Sequence, residues 1–365
     1  MGATSCAHGA RGEQAAFYLG LSEREDRPSM SEPSQTSDSS DNSAVDQPRT
    51  PPPPTAQPAQ SDARPASQPT VPPQPTKTAP AAKGAQAAQR GDVRTIHYTL
   101  SYIVQHPERG PKGAIVLLHD LPGGAFVWEP VLPALAATGR AVYAFDMLGF
   151  GQSDKPWPAD TSNWGHADCL TYAFRALGLT EITLVGFGLG GAVAQTLATR
   201  LFRDDVARLA LINSYAYEYA YAPNWPFPEM EKHHDPELAH SMNVEQEQTE
   251  LRQTLPNGAA GKLSADRLST YLDEWNSDLG KNVIMQQVRN MLPLYTNSVA
   301  SDVTSLDLPM LLIWGEADKV TPPALGQRIA EEARKAKLEI VPRAGHLILD
   351  EAPDRVASLL ASFAS

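Results

Sequence analysis

Leu184-Val185-Gly186-Phe187-Gly188-Leu189-Gly190-Gly191 joins an apolar run, Ile182-Thr-Leu-Val185, to a helix-prone stretch, Gly191–Leu201. A short apolar run, a glycine-rich break and a longer apolar period read as strand, tight turn and helix. Small residues at positions 186 and 190 let strand and helix meet closely. This is the context of the Gly-x-Ser-x-Gly turn, which forces its central residue into a strained backbone and lifts it clear of the sheet. The central residue here is Gly188. Glycine relieves that strain, and it offers no oxygen or sulfur with which to attack a substrate. A glycine-rich turn at a helix start can also cradle phosphate. The spacing misses the dinucleotide fingerprint, and no ribose-binding acid follows at the usual distance. No cofactor is expected.

Outward from this turn, strands and helices alternate. Ile96, Tyr98, Leu100 and Tyr102 alternate with polar residues, as in a half-buried strand. Ala114–His119 and Ala141–Phe145 are continuous apolar runs, as in strands buried on both faces. A helix is expected through Phe126, Trp128, Val131, Leu132 and Leu135, and another over Trp164–Leu177. Further strands are expected at Ala207–Ile212, Pro309–Trp314 and Leu338–Val341, with helices at Leu325–Ala336 and Asp354–Phe363. This order implies an α/β protein with a mostly parallel, doubly wound sheet. The alternation stops between Ser214 and about Ser301. That stretch is polar and helix-prone, as at Glu245–Leu255 and Ala265–Trp275, and it reads as an inserted cap. Its opening carries Tyr215, Tyr217, Tyr219, Tyr221 and Trp225, either as one wall of a cleft or as anchors holding the cap to the core.

Residues 1–92 differ in kind. They are rich in Pro, Ala, Gln, Ser and Thr, with an unbroken Pro51–Pro54 run. Such a composition cannot bury enough apolar area to offset ordering, so a disordered segment with local polyproline II is expected. A solvated spacer is the plain reading, and a docking arm for a protein partner is the functional one. Met30 opens the more uniform part and is a candidate start.

The net charge of −12 argues against a nucleic-acid partner. No apolar run is long enough for a membrane span, and the first thirty residues lack a signal-peptide core. The expected location is the cytoplasm. Cys6 and Cys169, far apart, give neither a disulfide framework nor a metal cluster. Cys169 fits a small buried residue on a helix. His233 and His234 are adjacent but have no third ligand at sensible spacing, so no metal is expected.

Four further motifs occur in order: His119-Asp-Leu-Pro-Gly-Gly124, Phe145-Asp-Met-Leu-Gly-Phe-Gly-Gln-Ser-Asp-Lys-Pro156, Trp314-Gly-Glu-Ala-Asp318 and Ala344-Gly-His346. With the glycine turn, they resemble the α/β-hydrolase superfamily, especially its capped branch of haloalkane dehalogenases, epoxide hydrolases and esterases. The resemblance implies an α/β-hydrolase core over 93–214 and 302–365, with a helical cap at 215–301. It implies that Asp318 orients His346, that His346 is the base, and that the backbone N–H groups of Leu121 and Leu189 form the oxyanion hole. Phe187, Tyr215, Tyr217 and Trp225 are the expected pocket wall, suited to an apolar or aromatic small molecule.

The chain departs from the pattern twice. Gly188 stands at the nucleophile position, so no covalent mechanism of the family carries over. Asp120 stands where the family has Gly, and its carboxylate is expected to point outward or to bond a backbone N–H. His119, Asp146 and Ser153 are expected to be structural. The reading is therefore a hydrolase-like enzyme without a covalent intermediate. His346 and Asp318 would act as general base on water held in the space at Gly188, or abstract a proton from a small organic substrate. The alternative is a catalytically inactive pseudo-hydrolase that binds a small molecule or protein.

Overall fold

A computed structural model describes residues 85–217, 255, 258–261 and 263–365. Its centre is an eight-stranded sheet in the order β1-β2-β4-β3-β5-β6-β7-β8. The strands are β1 (Gln89–Arg94), β2 (Thr99–Gln105), β3 (Ala114–Leu118), β4 (Ala141–Phe145), β5 (Ile182–Phe187), β6 (Val206–Ile212), β7 (Met310–Gly315) and β8 (Ala336–Val341). β1, β2 and β4 pair antiparallel; from β4 across to β8 every pairing is parallel. β3 and β5 are buried along their whole length, which is why they read as unbroken apolar runs. Each such Leu, Ile or Val contributes about 1.5–3 kcal/mol by leaving water.

The helices are α1 (Leu132–Ala136), α2 (Asn163–Ala176), α3 (Leu189–Thr196), α4 (Ala265–Leu272), α5 (Asp278–Asn290), α6 (Pro293–Thr304), α7 (Pro323–Glu332), α8 (Ile348–Glu351) and α9 (Pro353–Ala364). Ser162, Ser264 and Ser277 each accept a backbone N–H at the start of α2, α4 and α5, a favoured capping role for serine. α3 begins differently: its N-cap is Gly188, which has no capping side chain. No helix among the described residues is long and apolar enough to cross a membrane.

Several expected boundaries move. Strand structure starts at Gln89, ahead of the boundary at residue 92, because β1 is an edge strand with only Val93 buried. Ile96 lies in the β1–β2 turn and is 57% exposed, not in a strand; the Thr95 side chain accepts the Tyr98 N–H to close that turn. The helix expected through Phe126 to Leu135 is a 3-10 turn at Ala125–Trp128 followed by α1. The helix expected at 325–336 stops at Glu332, and Ala336 already belongs to β8. The helix expected at 191–201 starts at Leu189 and widens to a π-helix from Leu197. The helix expected at 265–275 becomes 3-10 from Asp273. The stretch between β6 and β7 carries α4, α5 and α6. The proline-rich arm, Cys6, residues 245–254, Tyr219, Tyr221, Trp225, His233 and His234 lie outside the described residues.

Candidate functional site

Parallel pairing sets Leu118 of β3 opposite Gly186 of β5. Two residues beyond each, Asp120 and Gly188 leave the same end of the sheet side by side. Gly188 has φ +53° and ψ −115°, a backbone conformation that L side chains rarely adopt. A Cβ placed on it would overlap Cγ and both carboxylate oxygens of Asp120. The volume left by the missing side chain at 188 is therefore filled by the carboxylate from 120. It is not open to a water, and Asp120 points inward rather than outward.

Two contacts hold that carboxylate, and a third holds its backbone. Leu189 donates its N–H to Oδ1 at 2.6 Å. This satisfies an otherwise orphaned donor of the first turn of α3, where the helix dipole also favours an anion. Oδ2 lies 2.9 Å from Nε2 of His346. The backbone of Asp120 is itself fixed by His119. Met147 donates its N–H to Nε2 of that imidazole, so Nδ1 carries the hydrogen and donates to the Asp120 carbonyl at 2.8 Å. Burial lowers the pKa of His119 below its ordinary value. His119 is thus a neutral structural residue, as expected.

On its other side, Nδ1 of His346 lies 2.9 Å from Oδ2 of Asp318. Asp318 accepts the N–H groups of Val320 and Thr321 on Oδ1 and the Thr321 hydroxyl on Oδ2. The result is a buried row of carboxylate, imidazole and carboxylate, with His346 fully inaccessible and Asp120 and Asp318 each 4% exposed. Burial alone would push the His346 pKa down. The charges and hydrogen bonds of Asp318 and Asp120 outweigh it and raise the pKa to about 10. At neutral pH the ring is an imidazolium donating from both nitrogens. A raised folded-state pKa adds stability that is complete below the unfolded value, about 6.5, and is lost as pH rises through about 10. Melting temperatures of the wild type should accordingly fall across this alkaline window, and fall less in His346→Gln.

The loop bearing His346 is held by groups that sequence reasoning missed. Asn213, at the end of β6 with φ +40°, donates its amide to the carbonyls of Gly345 and His346 and accepts the Gly315 N–H. His346 donates its own N–H to the Gly258 carbonyl at 2.7 Å. Glu351 accepts the Gly345 N–H on one oxygen and the Gly261 N–H on the other, both at 2.7 Å.

The expected pocket wall separates. The rings of Phe187 and Tyr215 lie 5.5 and 6.4 Å from the His346 ring. Tyr215 is buried, its hydroxyl has no hydrogen-bond partner among the described residues, and burial and the two aspartates push its pKa well up. Tyr217 turns elsewhere: its hydroxyl donates to Glu332 of α7, and Arg328 lies over its ring at 3.6 Å. Leu121 is buried beside Asp120. Asp146 and Ser153 bond within their loop, and Asp146 also accepts from Ala125 and Arg90. Cys169 is buried on α2, with its thiol pushed up to about 11 by burial.

A family model described as the alpha/beta hydrolase fold matches residues 113–353. The chain belongs to the α/β-hydrolase fold family. This α/β-hydrolase is 23% identical over 255 residues to the AB hydrolase superfamily protein YisY of Bacillus subtilis, covering 69% of the chain and 91% of that relative. Over 122 residues it is 36% identical to a haloalkane dehalogenase of Mycobacterium marinum, covering 33% of the chain and 40% of that protein. In fold it is similar to a solved α/β-hydrolase-fold protein from Burkholderia ambifaria, with TM-score 0.65 and 25% identity over 74% of the chain and 96% of that structure.

Proposed function

We propose that this α/β-hydrolase is an enzyme that hydrolyses a small, uncharged organic substrate at the row formed by Asp120, His346 and Asp318. Among the described residues between β6 and β7, α4, α5 and α6 would belong to the cap expected at 215–301. The observation that carries the reading is the imidazole held between two buried carboxylates, one of them in the volume of the missing side chain at 188. Two carboxylates and one imidazolium leave the buried row with a net negative charge, which disfavours anionic substrates. The similarity to a haloalkane dehalogenase supports an organic electrophile.

The geometry favours a different division of labour from an unaided His346–Asp318 base. Nε2 already faces Asp120, and a protonated ring has no lone pair with which to activate water. The N–H of Leu189, the expected oxyanion donor, is engaged by Asp120, so the donor serves the enzyme's own carboxyl.

The test is turnover by the full chain on short-chain p-nitrophenyl esters, terminal haloalkanes and aryl epoxides, beside His346→Ala. Loss of acid–base chemistry typically costs about 10²–10⁴-fold, and a fall of that size is expected on the class that reacts. Turnover on no class would leave a pseudo-hydrolase that binds a small molecule or protein. Turnover unchanged by His346→Ala would place the chemistry elsewhere.

A further inference from the structure

We infer that the nucleophile of this enzyme is Asp120, its carboxylate transposed from the turn at 188 to the end of β3, and that it forms a covalent ester with a saturated substrate carbon. The inference deepens the preceding proposal and rests on it. Three observations carry it. The Asp120 carboxylate and a side chain at Gly188 exclude one another, since they compete for the same atoms' volume. The carboxylate makes the contacts expected of a group at that point: an N–H from the first residue of α3 on one oxygen and the imidazole on the other. The two departures from the family pattern, a glycine where a side chain is expected and a carboxylate where glycine is expected, lie on neighbouring strands and compensate each other.

The position of Oδ1 selects the substrate class. Acyl transfer needs the Leu189 N–H free to polarise the substrate carbonyl. Here that N–H holds the enzyme's own carboxyl oxygen, which suits a tetrahedral centre formed at Cγ of Asp120 itself. The electrophile is then a carbon bearing a leaving group, as in an alkyl halide or an epoxide.

In the first step Oδ2 attacks that carbon. A C–O bond forms, the bond to the leaving group breaks, and the leaving group takes the electron pair. An epoxide oxygen takes the Nε2 proton; a halide leaves as the ion and needs none. Esterification removes the negative charge of Asp120, so of the two carboxylates of the row the imidazole keeps Asp318, and where a halide has left, the Nε2 proton is released to solvent. In the second step neutral Nε2 takes a proton from water while the water oxygen attacks Cγ. The oxyanion forms on Oδ1, against the Leu189 N–H. Collapse breaks the bond from Cγ to the alkyl oxygen, and the alcohol leaves with the imidazolium proton. The carboxylic acid left on Asp120 returns its proton to the ring, restoring the ion pair. One water is consumed, and one oxygen of Asp120 now comes from solvent.

The test uses the full chain with bromohexane and with phenyl glycidyl ether. Turnover in oxygen-18 water should place the label in the peptide containing Asp120. In His346→Gln, bromohexane, whose departure needs no proton, should leave a stoichiometric hexyl adduct on Asp120. The adduct should be absent from Asp120→Asn/His346→Gln. In Asp120→Gly/Gly188→Asp, label and adduct should move to the peptide containing residue 188. Turnover with no label in the Asp120 peptide overturns the inference and leaves the preceding proposal standing. Absence of turnover, label and adduct with both substrates overturns the inference, and it overturns the preceding proposal as well when the p-nitrophenyl esters are also left intact.

Discussion

Gly188→Ala will lose about 2–6 kcal/mol of stability, and Asp120→Gly will return part of it. The added Cβ overlaps the Asp120 carboxylate, and overpacking a filled site costs about 1–3 kcal/mol. The backbone at φ +53° adds strain of about 1–3 kcal/mol for a residue with a side chain. For a domain of this size such a loss corresponds to roughly 4–24 °C in melting temperature. Asp120→Gly removes the overlap but not the backbone strain. It also leaves the His346 imidazolium with one carboxylate, which carries its own cost. The decisive quantity is therefore the coupling in a double-mutant cycle by thermal or denaturant melts. Groups in direct contact typically couple by about 0.5–3 kcal/mol, and the double variant should be more stable than the sum of the singles predicts. Additive losses would mean that positions 120 and 188 do not share one volume.

The second large effect is expected from His346→Ala. Removing the cation leaves Asp120 and Asp318 buried across an unfilled space. Breaking a buried charge pair from one side typically costs about 3–5 kcal/mol. The alkaline dependence should then go with the ring. In the wild type, stability is lost on the alkaline side, through about pH 10. The variant has no ring to lose that proton, so its own stability should not fall through this window and the penalty should shrink as pH rises through about 10. Melting curves of both proteins across acid, neutral and alkaline buffers check this. A variant whose penalty is the same at every pH would show that the carboxylates do not feel the ring.

Much of this was readable from residues alone, for reasons that differ by element. β3 and β5 are buried on both faces, so their runs carry no polar interruption. β1 is an edge strand with one buried residue, Val93, and nothing local marks it. The β1–β2 turn contains no Gly, Asn, Asp or Pro, so the alternation of Ile96 and Tyr98 passes for strand. His346 and Asp318 each sit in a loop whose local motif announces it. Asp120 does not, because its direction is fixed by a neighbour far along the chain: only the adjacency of β3 and β5 sets residue 120 beside residue 188. The signal available beforehand was the pairing of the two anomalies. Read separately, the glycine suggested chemistry without a covalent step and the aspartate a group turned outward or bonded to a backbone N–H; read as neighbours, they share one volume. Asn213 and Glu351 were invisible for a related reason, since both act on loops remote in sequence.

The two oxygens of Glu351 tie the glycine before the imidazole to Gly261, while the imidazole's own amide is tied to Gly258. The backbone that aims the ring is thus stitched to the segment leading into α4, without any side chain of the row taking part. A change in that segment will therefore also re-aim the ring. Substitutions at 258–261 and at 345–351 should therefore couple in a double-mutant cycle of stability rather than add.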